Sequence, residues 1–422
     1  MNEIVKLNER LQYSFTRHIA CAEGPLKLML GDVDRWPGNL NPRLLTATDN
    51  ELVVAFRDNS RARIRVGKLA AGVQRLEIEH EAAPTNSQQS EQGGVDYEIF
   101  WFELFAMLNS RLMPERLAVA TSPGKVNLFL GIGPLAANGY HSVASLYLAV
   151  NLRETVSAQL ATSYEVKVSG DFDAFELLQV PTDESNLVVK AAKRVAELAG
   201  TPEALKLTIG IDKRVPIAGG MGGGSADGAA ALVVANEMFS GKLSREDLID
   251  MAAGLGADVP FAVLGGAAIG SGTGTNLTAV ADVAPVHLVL MLDEQGLSTP
   301  AVYRKLDELR AARGEDPTAV AEPTVTRALI RALQGGNPWD IAAAMQNDLE
   351  EAALALRPDL QNKIDAALEL GAIRAMVSGS GPTVMALVGS EAGAKEIALQ
   401  LQKRGINAFA VTGPDLGTEL VD

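Results

Sequence analysis

Residues 117–422 carry their hydrophobic positions in short blocks whose period switches between two and about 3.6, the texture of alternating strands and helices. The period-two and continuously apolar blocks predict strands over 117–120, 126–130, 146–151, 155–158, 164–169, 205–212 and 287–292. Helical spacing predicts helices over 186–198, 225–237, 300–313, 325–333, 340–354 and 360–370. Ser244 to Asp247 form a variant capping box that opens one more helix, stopped by Gly254. Near the end, apolar stretches at 373–377 and 383–388 flank a glycine turn, before a helix over 393–403 and a strand over 407–411. The earlier part of the chain reads differently. Strands are predicted over 52–56, 62–66 and 75–79, with Asp58, Asn59 and Ser60 as turn chemistry between the first two. The stretch 82–94, rich in Pro, Ser, Gln and Gly, predicts a linker or exposed loop. Residues 95–112 space Tyr97, Phe100, Trp101, Phe105 and Leu108 for an amphipathic helix that docks on something.

Length turns this texture into domains. A chain of 422 residues exceeds one ordinary core and predicts two or three. Residues 1–112 are read as a β-rich extension with a C-terminal helix, 113–270 as one lobe and 271–422 as another. The extension holds nine of the 20 aromatic residues, enough to bury a core of its own. Self-association or partner contact is the expected role for it, with Phe100, Trp101 and Phe105 packing on the rest of the chain or on another subunit. A net charge of -15 argues against a nucleic-acid partner, yet leaves room for a locally positive site that takes an anion. Cys21 is the single cysteine, which excludes an intramolecular disulfide and a thiolate metal cluster. The start is polar and no apolar run reaches the length of a span, so a cytoplasmic protein without membrane contact is expected.

The sharpest chemistry lies at residues 215–231. Pro216 leads into Gly219, Gly220, Gly222, Gly223 and Gly224, followed by Ser225 and an Ala/Leu/Val-rich helix. Glycines let backbone N–H groups close on a ligand and adopt φ above zero. A helix starting at once, with Ser225 as its N-cap, aims its positive end at the same spot. This is a cradle for nucleotide phosphates, although it has neither the Walker A lysine nor the Rossmann spacing. If Gly223 needs positive φ, Gly223→Val abolishes ATP binding at little cost in stability.

Other motifs accompany the loop. Lys125 and Asn127 stand within Ser122 to Leu130, and Asn138, Gly139, Tyr140 and His141 follow. Asp258 lies within Leu255 to Phe261, and Val377 to Thr383 reads Val-Ser-Gly-Ser-Gly-Pro-Thr. Together these resemble the superfamily of galactokinase, homoserine kinase, mevalonate kinase and phosphomevalonate kinase. Within it they resemble the 4-diphosphocytidyl-2-C-methyl-D-erythritol kinases of non-mevalonate isoprenoid precursor synthesis, over about residues 116–422. Thr299 to Tyr303 and Asn347 to Glu350 add to the likeness. The resemblance implies an α+β fold of two lobes, one like domain 2 of ribosomal protein S5 and one ferredoxin-like, with the β-rich segment added. It also implies transfer of the ATP γ-phosphoryl group, with Mg2+, to the 2-hydroxyl of a substrate bearing a cytidine diphosphate group.

Residue roles follow from the same likeness. Asp258 would accept the proton of the substrate hydroxyl, with Pro260 biasing Val259 to extended geometry. Lys125 would pair with Asp258 and with the transferred phosphoryl group. Pro216, the five glycines and Ser225 would hold ATP, and Ser225 is also a candidate Mg2+ ligand, in competition with its capping role. Asn127 would hold the sugar-alcohol part of the substrate. Tyr140 offers a face on which cytosine can stack, and His141 offers hydrogen bonds to its edge. His18, His80 and His287 have no ligand spacing and are read as structural. Members commonly show Arg-Arg-x-Asp-Gly-Tyr-His where this chain runs from Pro134 to His141 without arginine, which lowers the expected affinity for a diphosphate. The alternatives are a kinase of another small alcohol and a non-catalytic ligand sensor that keeps the fold. Tyr140 and His141 argue against homoserine and mevalonate, which have no base to stack.

Overall fold

The computed structural model describes residues 11–20, 27, 30–36, 42–48, 50–56, 60–70, 73–81, 100–101, 103–104, 107–108, 117–137, 139–161, 163–199, 206–217, 219–239, 241–272, 274–293 and 295–421. The chain divides into two compact units. One is Met1–Leu117 with Gln159–Tyr164 and Gly200–Leu207; the other is Ala118–Ala158, Glu165–Ala199 and Thr208–Asp422.

In the first unit β1 (Leu11–Ala20), β2 (Arg43–Ala47), β3 (Glu51–Ala55), β4 (Arg61–Ala70) and β5 (Val73–Glu81) form an antiparallel sheet, ordered β1-β5-β4-β3-β2. Alternation decides its faces. Leu52, Val54, Ala62, Ile64, Val66, Leu76 and Ile78 are buried, whereas Arg63 and Arg65 point out toward Glu51 and Glu79 on the flanking strands. Over the buried face lie Leu30, Val33 and Trp36, together with the helical residues Phe100, Trp101, Leu104 and Leu108. Phe100 and Trp101 therefore complete the core of their own unit, which corrects the expectation that they pack elsewhere. The reason is the sheet's apolar face, which needs a cover. His80 is structural: its Nε2 lies 3.0 Å from Ser60 Oγ, and Trp101 Nε1 donates to its Nδ1 at 3.4 Å. Tyr97, Phe105, Cys21, Asp58, Asn59, Met113 and the 82–94 stretch lie outside the described residues.

The second unit is built on two sheets. Its strands are β6 (Ala118–Leu135), β7 (His141–Ala161), β8 (Glu165–Gly170), β9 (Lys206–Lys213), β10 (Ala267–Gly272), β11 (Asn276–Ala279), β12 (Val286–Met291), β13 (Gln346–Asn347), β14 (Arg374–Val377), β15 (Val384–Val388), β16 (Ala408–Gly413) and β17 (Glu419–Leu420). The larger sheet runs β11-β10-β7-β6-β13, with β17 added to β6 and a parallel β8–β9 pair beside β7; the smaller is antiparallel, β14-β15-β12-β16. The helices used below are α1 (Leu187–Leu198), α2 (Gly223–Met238), α3 (Arg245–Ala252), α4 (Val259–Leu264), α5 (Thr299–Ala312), α6 (Arg327–Gly335), α7 (Pro338–Ala344) and α8 (Glu350–Leu356). Val126, Leu128, Leu146 and Leu148 of the larger sheet share one core with Leu288, Leu290, Met385 and Leu387 of the smaller. That shared core fixes the two sheets against each other, and with them every residue of the site. No helix among the described residues is long and apolar enough to cross a membrane.

Several expected elements change form. The strands read at 117–120 and 126–130 are one, because a register shift between Pro123 and Gly124 absorbs the proline without ending the ladder. The blocks at 146–151 and 155–158 likewise merge in β7. The helix read over 340–354 is broken at Met345, which is extended, and Gln346 then pairs in parallel with Phe129. β10 escaped the sequence reading since Ala, Gly and Ser show no hydrophobic period, and β1, β2 and β11 were not read either. The capping box at Ser244 forms, with Ser244 and Asp247 bonding reciprocally at the head of α3.

Candidate active site

Strand, glycine loop and helix meet at Lys125. Lys125 and Asn127 sit two apart on β6 and so share a face. Lys125 Nζ lies 3.6 Å from Asp258 Oδ2 and donates to Asn127 Oδ1 at 3.0 Å. Asn127 Nδ2 donates to Ser145 Oγ at 2.7 Å, and Ser145 in turn donates to the Phe129 carbonyl. The N–H of Lys125 donates to the Met221 carbonyl at 2.9 Å, which ties the strand to the glycine loop. Side-chain exposure of 11% for Lys125 and 28% for Asp258 leaves the pair weakly screened yet reachable by a ligand.

Asp258 is the N-cap of α4 but makes no capping bond, so its carboxylate is left to Lys125. Val259 is the first helical residue and Pro260 the second, which corrects the expected extended Val259. A proline in the first turn of a helix loses no hydrogen bond, so the helix starts there unimpeded.

The glycine loop also differs from expectation. Gly222, at φ 73°, is the N-cap of α2, and Ser225 is the third helical residue, not the cap. The helix begins early because Gly223 and Gly224 take helical geometry. A Cβ on Gly222 would stand 3.3 Å from Lys125 Cγ and 3.7 Å from Asp258 Oδ2, so this glycine gives the loop both its turn and its approach to the pair. The first-turn residues Gly223, Gly224 and Ser225 of α2 line a cavity of about 410 Å³, together with Val180, Pro181, Asn186, Leu187, Pro216 and Ile217. Just before β15, Thr383 Oγ1 donates to the Gly219 carbonyl at 2.6 Å, and from β13 of the larger sheet Asn347 Nδ2 donates to the carbonyls of Val377 and Gly379 at 2.8 Å each. The C-terminal glycine motif is thus a brace for the loop.

Beneath the loop lies a buried charge cluster that sequence reading missed. Lys213 Nζ donates to Glu154 Oε1 and, at 2.8 Å, to Asp227 Oδ2; the N–H of Arg214 donates to Glu154 Oε2 at 2.8 Å. A Cβ on Gly223 would stand 3.0 Å from Glu154 Oε1 and 3.2 Å from Lys213 Nζ. Gly223 is therefore there for space and not for positive φ, which corrects the expectation that its replacement spares stability. The visible signal was a lone Asp in the Ala-rich helix and a Lys ending an apolar strand.

Two carboxylates share one ammonium in this cluster. Burial, then the charge of Asp227, pushes Glu154 up to about 7, and burial also pushes Asp227 up. Burial works against the Lys213 ammonium, but Asp227 and Glu154 outweigh it and hold Lys213 above its ordinary value. For Glu154 the folded value exceeds the unfolded 4.5, so its contribution to stability is full below 4.5 and lost as pH rises through about 7. Thermal unfolding followed from pH 5 to 8 is expected to show this loss, with a slope approaching ~1.4 kcal/mol per pH unit. Glu154→Gln removes it. Equal slopes in both proteins would mean that Glu154 does not titrate there.

On the other side of Asp258, His141 opens β7. Its Nε2 lies 2.9 Å from Asp307 Oδ1, and its ring centroid is 5.2 Å from that of Tyr303. Burial, then the charge of Asp258, pushes Tyr303 up to about 12 and Tyr147 up as well. Both phenols stay protonated at neutral pH, and both lie within electrostatic reach of Asp258. Tyr140 is 70% exposed, and Asn138 before it lies outside the described residues. Sequence reading noted Tyr303 only as part of a resembling segment and passed over Asp307. Their spacing of four on an amphipathic helix was the available signal.

The chain matches two family profiles, GHMP kinases N terminal domain over residues 186–266 and GHMP kinases C terminal over residues 329–407. A 4-diphosphocytidyl-2-C-methyl-D-erythritol kinase of Paenarthrobacter aurescens (strain TC1) is 43% identical over 317 residues, 73% of this chain and 98% of that protein. The chain belongs to this kinase family. Another 4-diphosphocytidyl-2-C-methyl-D-erythritol kinase, from Nocardia farcinica (strain IFM 10152), is 42% identical over 71% of this chain and 95% of its own length. A crystal structure of a 4-(cytidine 5'-diphospho)-2C-methyl-D-erythritol kinase superposes with a TM-score of 0.56 at 29% identity, covering 71% of this chain and 98% of that one. The expected α+β kinase fold with an added β-rich segment is the fold observed.

Proposed function

We propose that the chain transfers the ATP γ-phosphoryl group to the 2-hydroxyl of 4-diphosphocytidyl-2-C-methyl-D-erythritol, with Lys125 and Asp258 as its catalytic residues. The observation that carries this reading is the Lys125–Asp258 pair lying against Gly222 of the glycine loop. Phosphoryl transfer asks a protein mainly for position and for offset of charge. Asp258 Oδ2 takes the proton of the attacking hydroxyl, which needs a carboxylate not already spent on capping. Lys125, which borders the loop beside that carboxylate, offsets charge building on the transferred group. Asn127, held from both ends by Lys125 and Ser145, orients the sugar alcohol. The open N–H groups at the head of α2 and the glycine backbone receive the ATP phosphates.

Mg2+ is usually held by phosphate oxygens with one or two protein oxygens, and the Ser225 hydroxyl, released from capping, fits that part. Bound there, it would neutralise phosphate charge. The cytidine end belongs with Tyr140 and His141. A coupled ADP-release assay tests the whole reading: turnover with the diphosphocytidyl substrate and none with homoserine or mevalonate is the expected result. In the same assay Tyr140→Ala raises KM for the cytidine substrate about 5- to 150-fold, from ~1–3 kcal/mol of lost stacking, and leaves KM for ATP within twofold. Equal rises in both would remove Tyr140 from the cytidine site. A sensor without activity is disfavoured, since Lys125 and Asp258 lie 3.6 Å apart beside the glycine loop.

Residues 1–112 stand outside the chemistry in this reading. They hold a core of their own, so a chain beginning at Met113 is expected to fold and to turn over at a rate within a few-fold of the full chain. Self-association or partner contact is their proposed use. A shortened chain that is folded by circular dichroism yet inactive would make the extension part of the active site.

A further inference from the structure

We propose that Asp307 is a specificity-determining residue, selecting a cytosine over a uracil base by fixing which nitrogen of His141 carries the proton. The inference rests on the reading that His141 meets the base of the substrate. A carboxylate can only accept, so the 2.9 Å contact between His141 Nε2 and Asp307 Oδ1 puts the proton on Nε2. In the neutral ring Nδ1 is then a lone-pair acceptor, and it is the ring atom left for a ligand. Cytosine presents an amino donor at the ring position where uracil presents a carbonyl acceptor. An acceptor nitrogen pairs with the first and opposes the second.

The surroundings hold this arrangement. Side-chain exposure of 4% for His141 and 20% for Asp307 keeps water from averaging the tautomers. Tyr303 and Asp307 stand one turn apart on α5, so one helix face supplies both the partner of His141 and the ring packed on it, 5.2 Å away and tilted by 39°. Further along α5 the buried Arg310 donates to the Ile132 carbonyl at 2.7 Å and to the Gly133 carbonyl at 3.3 Å. Those carbonyls belong to β6, whose Leu135 pairs with His141 at the start of β7. The helix bearing Asp307 is thus pinned to the sheet bearing His141, and the hydrogen bond cannot drift. A site organised around one hydrogen-bond pattern rejects the analogue that inverts it, because a buried polar atom is left unpaired.

The test compares kcat/KM for 4-diphosphocytidyl-2-C-methyl-D-erythritol and for its uridine counterpart in the full chain and in Asp307→Asn. The amide can accept or donate, so it no longer dictates the tautomer. The cytidine-to-uridine preference is expected to fall at least about tenfold, with KM for ATP unchanged. Histidine-selective ¹⁵N NMR of the unaltered protein, which has only four histidines, should show His141 with a protonated Nε2 and a bare Nδ1. A preference unchanged in Asp307→Asn, or a His141 with Nε2 bare or with both nitrogens protonated, overturns the proposal. The NMR result stands even if the variant does not fold. His141→Ala separates the two readings. An unaltered KM for the cytidine substrate removes His141 from the base site altogether, whereas a raised KM with the preference intact in Asp307→Asn sinks only the role of Asp307.

Discussion

Asp258→Ala and Lys125→Ala each lower kcat by at least about 10²-fold while the Kd for ATP stays within a few-fold. In the proposed mechanism both groups act where charge appears during transfer, and a preorganised group of that kind is worth ~3 kcal/mol. In the proposed reading the nucleotide is held by backbone N–H groups of the loop and α2, which neither substitution removes. Asp258→Ala also releases Lys125 from its 3.6 Å partner, but the Asn127 contact at 3.0 Å keeps the ammonium in place. Lys125→Ala is expected to be the more disruptive for substrate, since Asn127 then loses one of the two bonds that orient it. Pre-steady-state turnover with calorimetric ATP binding checks both. A kcat for Asp258→Ala within a few-fold of the unaltered enzyme would remove it from proton transfer.

Gly224→Val should weaken ATP binding by at least about 100-fold, ~2.7 kcal/mol, with little change in Tm. Gly223→Val should unfold the protein instead. The two neighbours differ only in what a side chain would meet. Nothing lies within 4 Å of a Cβ on Gly224, which borders the 410 Å³ cavity, so valine there is tolerated by the fold and fills the space proposed for the phosphates. At Gly223 the branches would be driven into Glu154, Lys213 and Val215, at 3.0, 3.2 and 3.3 Å. Overpacking a buried site costs ~1–3 kcal/mol, and disturbing a buried ion cluster adds to it. Unchanged ATP affinity in a folded Gly224→Val protein would mean that the phosphates bind elsewhere.

Elements with a strong local signal were legible from the chain alone. The helix at Leu187–Leu198 has Asn186 bonding to the Val188 N–H at its head, and the one at Arg245–Ala252 has its capping box. Both are decided by residues within four positions of each other. In the first unit β4 and β5 were legible from alternation at 62–66 and 75–79, and β3 from its apolar block at 52–56, whereas β1 and β2 were not read from the sequence. What failed locally failed for a tertiary reason. No local rule breaks the helix at Met345; the parallel pairing of Gln346 with β6 and the grip of Asn347 on the Val377 and Gly379 carbonyls do so.

The same division runs through the candidate site. The sequence by itself determined the chemistry on offer: a glycine-rich stretch running into a helix, one lysine and one aspartate in separate motifs, and an aromatic beside a histidine. Periodicity, propensity and capping act over one or two turns, and they carry that much. Tertiary structure alone decided that Gly222 and not Ser225 starts α2, that Asp258 spends its carboxylate on Lys125, and that Glu154, Lys213 and Asp227 share one buried cluster. It also set His141 against Asp307, 166 residues away along the chain. Contacts of that range exist because the two sheets close on a common apolar core, and no short stretch of sequence records where that closure brings two side chains together.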